Sequence, residues 1–80
     1  MISPTETRLR SIRALARVDT AEARIRRYIV ESALQPGDRL PSEAELAATL
    51  GSSRVVIREA LGMLEALGVL EARVGSGWFV

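Results

Sequence analysis

Apolar residues recur every three to four positions through the middle of the chain, then give way to short alternating runs at its C-terminal end. Ile25, Tyr28, Ile29 and Ser32/Ala33 keep the helical period, with Arg24, Arg26, Arg27 and Glu31 between them, which predicts an amphipathic helix over residues 20–34. Asp19 followed by Glu22 has the spacing of a capping box, and Thr20 is the alternative cap. Gln35-Pro36-Gly37-Asp38 stops this helix. A second, shorter helix follows Pro41, with Ser42 and Glu45 as its capping pair and Leu46, Ala47 and Leu50 as its buried stripe. Gly51 ends it, and Ser53 is placed to cap a third helix over residues 54–67. On that helix Ile57, Ala60, Leu61 and Leu64 share one face, while Arg54, Arg58, Gly62 and Glu65 share another, with Val55 at its edge. Gly68 is the expected left-handed terminator.

The period then changes to that of strands. Residues 69–74 predict one strand and residues 78–80 a second, joined through Gly75-Ser76-Gly77. A two-stranded ribbon is marginal alone, so it must lie against the helices, anchored by Trp78 or Phe79. Residues 1–18 form a lead-in, either a marginal amphipathic helix around Leu9, Ile12 and Leu15 or a mobile arm carrying Arg8, Arg10, Arg13 and Arg17. The expected fold is therefore mainly α with a small β-hairpin. Three helices and a two-stranded wing over residues 19–80, with a tight glycine turn between the second and third helices, describe a winged helix-turn-helix.

Composition narrows the chemistry. Eighty residues suffice for one small domain. With neither cysteine nor histidine there is no disulfide framework, thiolate nucleophile, histidine base or zinc-type ligand set. No apolar run approaches the roughly 20 residues of a membrane span, and the N-terminus lacks a secretion-signal pattern, so a soluble cytoplasmic protein is expected. Net charge is only +1, yet every basic residue is arginine. Arginine's planar fork suits phosphate and guanine, although a GC-rich genome would also produce that usage.

In a helix-turn-helix the second helix of the pair enters the major groove while the first braces it. Arg54 and Arg58, four residues apart, would face the DNA from the 54–67 helix. Arg54 suits a guanine edge and Arg58 a base or a phosphate. Each also has a plainer account as part of a solvated helix face. Ser53 combines capping with closeness to phosphate. Val55 is placed to touch a thymine methyl or nothing at all. Arg73 meets the DNA backbone, pairs with Glu71 or is simply solvated. Gly75 and Gly77 serve the turn and permit close approach of the backbone. Arg8 to Arg17 offer a minor-groove arm or a packing helix. Ser42 and Glu45 have a structural capping role.

The run Pro36-Gly37, Leu40-Pro41-Ser42-Glu43, Glu45-Leu46-Ala47, Leu50-Gly51, Ser53-Arg54, Ile57-Arg58-Glu59-Ala60-Leu61, Leu64, Gly68 and Gly75-Ser76-Gly77 resembles the GntR family of bacterial regulators. The resemblance runs without a gap over residues 20–80, and residues 61–80 are most similar to the FadR-type subgroup. It implies a homodimeric transcription regulator, commonly a repressor, that binds an inverted repeat in double-stranded DNA. It also implies a small-molecule effector taken by a C-terminal domain, which would be absent from this chain since Val80 falls where the wing normally ends. Contacts carried over position by position fall on Ser53, Arg54, Val55, Val56 and Arg58, with Gly75 at the wing tip; Arg73 and Ser76 beside it complete the candidate DNA-binding set. Neither a cofactor nor a metal is implied for this domain, nor any membrane contact. The pattern departs at Ala44, where many members carry a DNA-reading arginine. Ser52 replaces a small apolar residue, and Val55 and Val56 replace residues that are often polar.

Two other classes of function compete. An enzyme would have to use carboxylates such as Glu43 and Glu45, which point to different helix faces and lack a nucleophile or phosphate-cradling loop beside them. A winged helix used only for protein contacts is the closer alternative, against which the Arg54/Arg58 edge argues.

Overall fold

The computed structural model describes residues 3–17 and 20–80, and the elements run α1 (Pro4–Arg17), α2 (Ala21–Glu31), α3 (Glu43–Leu50), α4 (Arg54–Ala66), β1 (Glu71–Arg73) and β2 (Gly77–Phe79). Each helix starts where a side chain satisfies an orphan N–H. Ser3 Oγ accepts from the Glu6 N–H at 3.1 Å, with Pro4 in the first-turn position where its missing N–H costs nothing. That local pattern makes the lead-in a helix. Thr20 Oγ1 accepts from Ala23 N at 3.1 Å, whereas Asp19, the other cap expected for α2, lies outside the described residues. Ser42 Oγ accepts from Glu45 N at 3.1 Å, and Ser53 Oγ accepts from Val56 N at 3.2 Å.

The ends of α3 and α4 follow their glycines: Gly51 and Gly68 take left-handed φ angles of +66° and +77°. α2 stops sooner than its expected end at residue 34. Its cap is Ser32, and Ala33 turns left-handed at φ +54°, so that Leu34 N donates back to Ile29 O at 3.0 Å. The turn swings the half-buried Leu34 onto the core, an apolar contact that outweighs the steric preference of alanine.

α2, α3 and α4 pack together around Ile25, Leu46, Ala47, Ile57, Ala60, Leu61 and Leu64, with Leu40 and Leu70 closing the core from the flanking segments. Arg24 Nη1 donates to the carbonyl of Leu50, fastening α2 to the last turn of α3. β1 and β2 are antiparallel, with Glu71 opposite Phe79, Ala72 opposite Trp78 and Arg73 opposite Gly77. β1 is shorter than the expected 69–74, while β2 keeps its expected three residues but begins one position earlier, at Gly77. The ribbon also gains a third stretch of backbone from the segment read only as a stop. Gly37 N donates to Val80 O, Val80 N to Asp38 O and Leu40 N to Trp78 O, each at 2.8 Å, and Arg39 bridges Phe79. Of the two expected anchors, Trp78 packs on the core, while the Phe79 ring carries the Arg73 guanidinium 4.0 Å from its centroid.

Candidate nucleic-acid interface

The packing leaves the polar edge of α4 outward. Arg54, Val55, Arg58, Gly62 and Glu65 are all exposed, while Ile57, Ala60, Leu61 and Leu64 are buried on the opposite side. The Gly51–Ser52 turn sets α4 directly after α3, and the buried residues of the two helices fix its angle on the core.

Arg58 is exposed but tethered. Its Nε lies 3.0 Å from Glu43 Oε2 and 3.3 Å from Oε1, and its Nη2 lies 3.0 Å from Oε2. The arginine side chain is 71% accessible and the glutamate only 19%, so the carboxylate forms the floor and the guanidinium the surface. The Arg58 hydrogen bond holds the Glu43 carboxyl below its ordinary range against partial desolvation, assisted by the Trp78 indole and by the charges of Arg58 and Arg54. Arg58 is in turn raised by Glu43, so it stays charged. Two of its nitrogens face Glu43, and its remaining hydrogens stay available to a ligand. Nothing in the sequence marks Glu43 as a partner of Arg58. Its partner is fifteen positions away, and no local period announces such a pair.

Arg54 makes no ion pair among the described residues, and it borders a surface depression of about 370 Å³ between the start of α3 and the base of the wing. Val55, 68% exposed, stands beside it on the helix edge. Val56 is set apart. It lies with Glu59 and Met63 against Thr20 and Ala21, on the flank of α4 that faces the start of α2. Ser53 is engaged at the helix start as its cap.

The wing carries the remaining expected positions. Arg73 is neither free nor buried: Nη2 lies 3.4 Å from Glu71 Oε2, and the guanidinium stacks on Phe79. Ser76 N donates to Arg73 O at 2.9 Å across the tip, with Gly75 at φ +74° between them, and both tip residues are exposed. Glu65 would be an awkward charge on a DNA-facing helix, but its Oε2 accepts the Ala72 N–H at 3.0 Å. That bond ties β1 to α4 and sets the angle between wing and helix.

Among the described residues no group of three or more acidic side chains is placed to hold a metal ion, and no helix is long and apolar enough to cross a membrane.

Known proteins share this arrangement. The family described as bacterial regulatory proteins, gntR family, matches residues 17–80. The Uxu operon transcriptional regulator of Escherichia coli K12 is 48% identical over 58 residues, 72% of this chain and 23% of that protein. The mannosyl-D-glycerate transport/metabolism system repressor MngR of the same organism is 46% identical over 57 residues, 71% of this chain and 24% of its own. Among solved structures, Streptococcus agalactiae GntR superposes with a TM-score of 0.73 at 38% identity, covering 75% of this chain and 29% of that one. The DNA-binding domain of AraR in complex with operator ORR3 superposes with a TM-score of 0.66 at 36% identity, covering 74% of this chain and 71% of that one. The chain spans about a quarter of the length of the curated relatives it matches. With the family pattern matched over most of its length and its helices and wing in the same arrangement, this chain belongs to the gntR family of bacterial regulatory proteins and carries that family's DNA-binding winged helix.

Proposed function

We propose that this winged helix is the operator-reading domain of a cytoplasmic, FadR-type transcription repressor that binds an inverted repeat as a homodimer. Each copy sets α4 in a major groove and rests its wing beside it. Arg54 reads a base edge, with guanine the natural partner of its fork, and Arg58, aimed by Glu43, meets a second base or a phosphate. Ser53 brings the start of α4 to a phosphate, Val55 faces a thymine methyl, and Val56 stands at the margin. Gly75 and Ser76 bring the wing tip to the neighbouring backbone, with Arg73 stacked behind them. Regulation by a small molecule belongs to a second domain of the whole protein, and the domain carries out no catalysis. Among the relatives, the repressor MngR and the DNA-binding domain of AraR solved on its operator support this reading.

The single observation that carries it is the exposed Arg54/Arg58 edge on a helix whose opposite face is wholly buried. Selection of bound duplexes from a random pool, at stated salt, is the direct test. An inverted repeat should emerge, and Arg54→Ala should cost about 1–3 kcal/mol and relax preference at one base position. If affinity and preference both survive that substitution, Arg54 does not read a base. If no duplex is retained at low salt, the protein-interaction alternative takes over.

A further inference from the structure

Arg39 lies outside the contact positions carried over from the family pattern, yet it sits on the same surface. Its backbone bridges Phe79 at the edge of the wing, and that register puts its side chain on the sheet face shared with Phe79 and Gly77. The side chain lies across Gly77: a Cβ added there would be 3.3 Å from Arg39 Nε and 3.5 Å from Nη2. Glycine at this point, already required by φ +109°, therefore leaves the guanidinium room to lie flat on the strand. Arg39 makes no ion pair among the described residues.

The depression it borders also holds Ala44, Arg54, Gly77 and Trp78. Glu43 forms part of the same wall, but its charge is taken up by Arg58 and the Trp78 indole. Two arginines without ion pairs among the described residues thus line one concavity, one from the reading helix and one from the stretch bridged to the wing. Ala44, which lines the same depression, carries no charge of its own.

We propose that Arg39 holds a DNA backbone phosphate at the depression between α3 and the base of the wing, beside the base-reading Arg54, and supplies positive charge there that Ala44 cannot. The proposal rests on the DNA-reading assignment of α4. Arg39 is held by the sheet, outside the helix that enters the groove. Its contact is therefore with the backbone and insensitive to base sequence.

The test compares the unaltered chain with Arg39→Gln and Arg39→Lys on two probes: the duplex recovered by random-pool selection and a scrambled duplex of the same length and composition. Affinity is followed from about 50 to about 200 mM salt. One lost phosphate contact lowers the salt slope by about 0.9, so the advantage of the unaltered chain over Arg39→Gln should shrink about threefold across that range. The weakening should be equal on both duplexes, and Arg39→Lys should keep the slope. An unchanged slope in Arg39→Gln overturns the phosphate seat while leaving the DNA-reading assignment intact. A loss confined to the selected duplex also overturns it, because that is base reading. If the unaltered chain binds neither duplex, it is the underlying assignment that fails.

Discussion

A carboxylate on a surface that must approach phosphates is tolerable only when its charge is engaged, and Glu43 meets that condition by holding Arg58 through both of its oxygens. The exchange has a consequence for specificity. A free arginine loses rotamer entropy when it docks on a base, whereas a tethered one has lost most of it beforehand. Glu43→Gln removes a negative charge, so affinity for scrambled DNA should rise, while the ratio of affinities for selected over scrambled duplex should fall by about tenfold, the scale of one mispositioned bidentate contact. Competition binding at fixed salt reads both changes, and an unaltered ratio would show that Arg58 needs no positioning. The pH dependence follows the lowered pKa of Glu43, whose ordinary value is 4.5. Because the folded state favours the ionised form, the pair is fully formed above that ordinary value and is lost as pH falls through the depressed one. Around neutrality, the Glu43→Gln effect should therefore be independent of pH.

At the scale of elements, what was legible in the chain is what is decided locally. Ser42, Ser53, Gly51 and Gly68 fix the ends of α3 and α4 by bonds spanning three to five residues, and sequence alone places them. Where the deciding partner is distant, the pattern is silent. The edge stretch at Asp38–Leu40 forms only because Trp78 and Val80 are there to receive it, and the tether of Arg58 depends on α3 lying beside α4. α2 ends early for a tertiary reason as well, since Leu34 must reach the core and drags Ala33 into a left-handed turn. That strain makes a prediction. Ala33→Gly relieves a left-handed penalty of about 1–2 kcal/mol and adds roughly 0.4–1 kcal/mol of unfolded-chain entropy. The net gain of about 0.5–1 kcal/mol should raise Tm by roughly 2–8 °C for a domain of this size. A thermal melt showing a lower Tm would mean that the Ala33 methyl packs better than its exposed position indicates.

The whole molecule is longer than its core requires. The described chain extends 56 × 24 × 22 Å with a radius of gyration of 15.5 Å, against about 12 Å expected for a compact chain of this length. Among the residues whose burial is described, those of the core run from Ala21 onward, and every described side chain from Ser3 to Arg10 is exposed. α1 nevertheless matters to the charge of the molecule. Removing residues 1–19 takes away Arg8, Arg10, Arg13 and Arg17 together with Glu6 and Asp19, which turns a net charge of +1 into −1. Stability and DNA affinity should therefore separate. A chain of residues 20–80 keeps the Thr20 cap and every described core residue, so its Tm should stay within a few degrees, the shift expected for less than about 1 kcal/mol. Its affinity for DNA should fall on selected and scrambled duplexes alike, with the salt slope shallower by about 0.9 for each of the four arginines that meets a phosphate. Melting the two chains side by side and titrating both with the same duplexes tests the two halves independently. A large drop in Tm would place α1 against the core, and an unchanged salt slope would show that its arginines stay in solvent when the wing and α4 are on DNA.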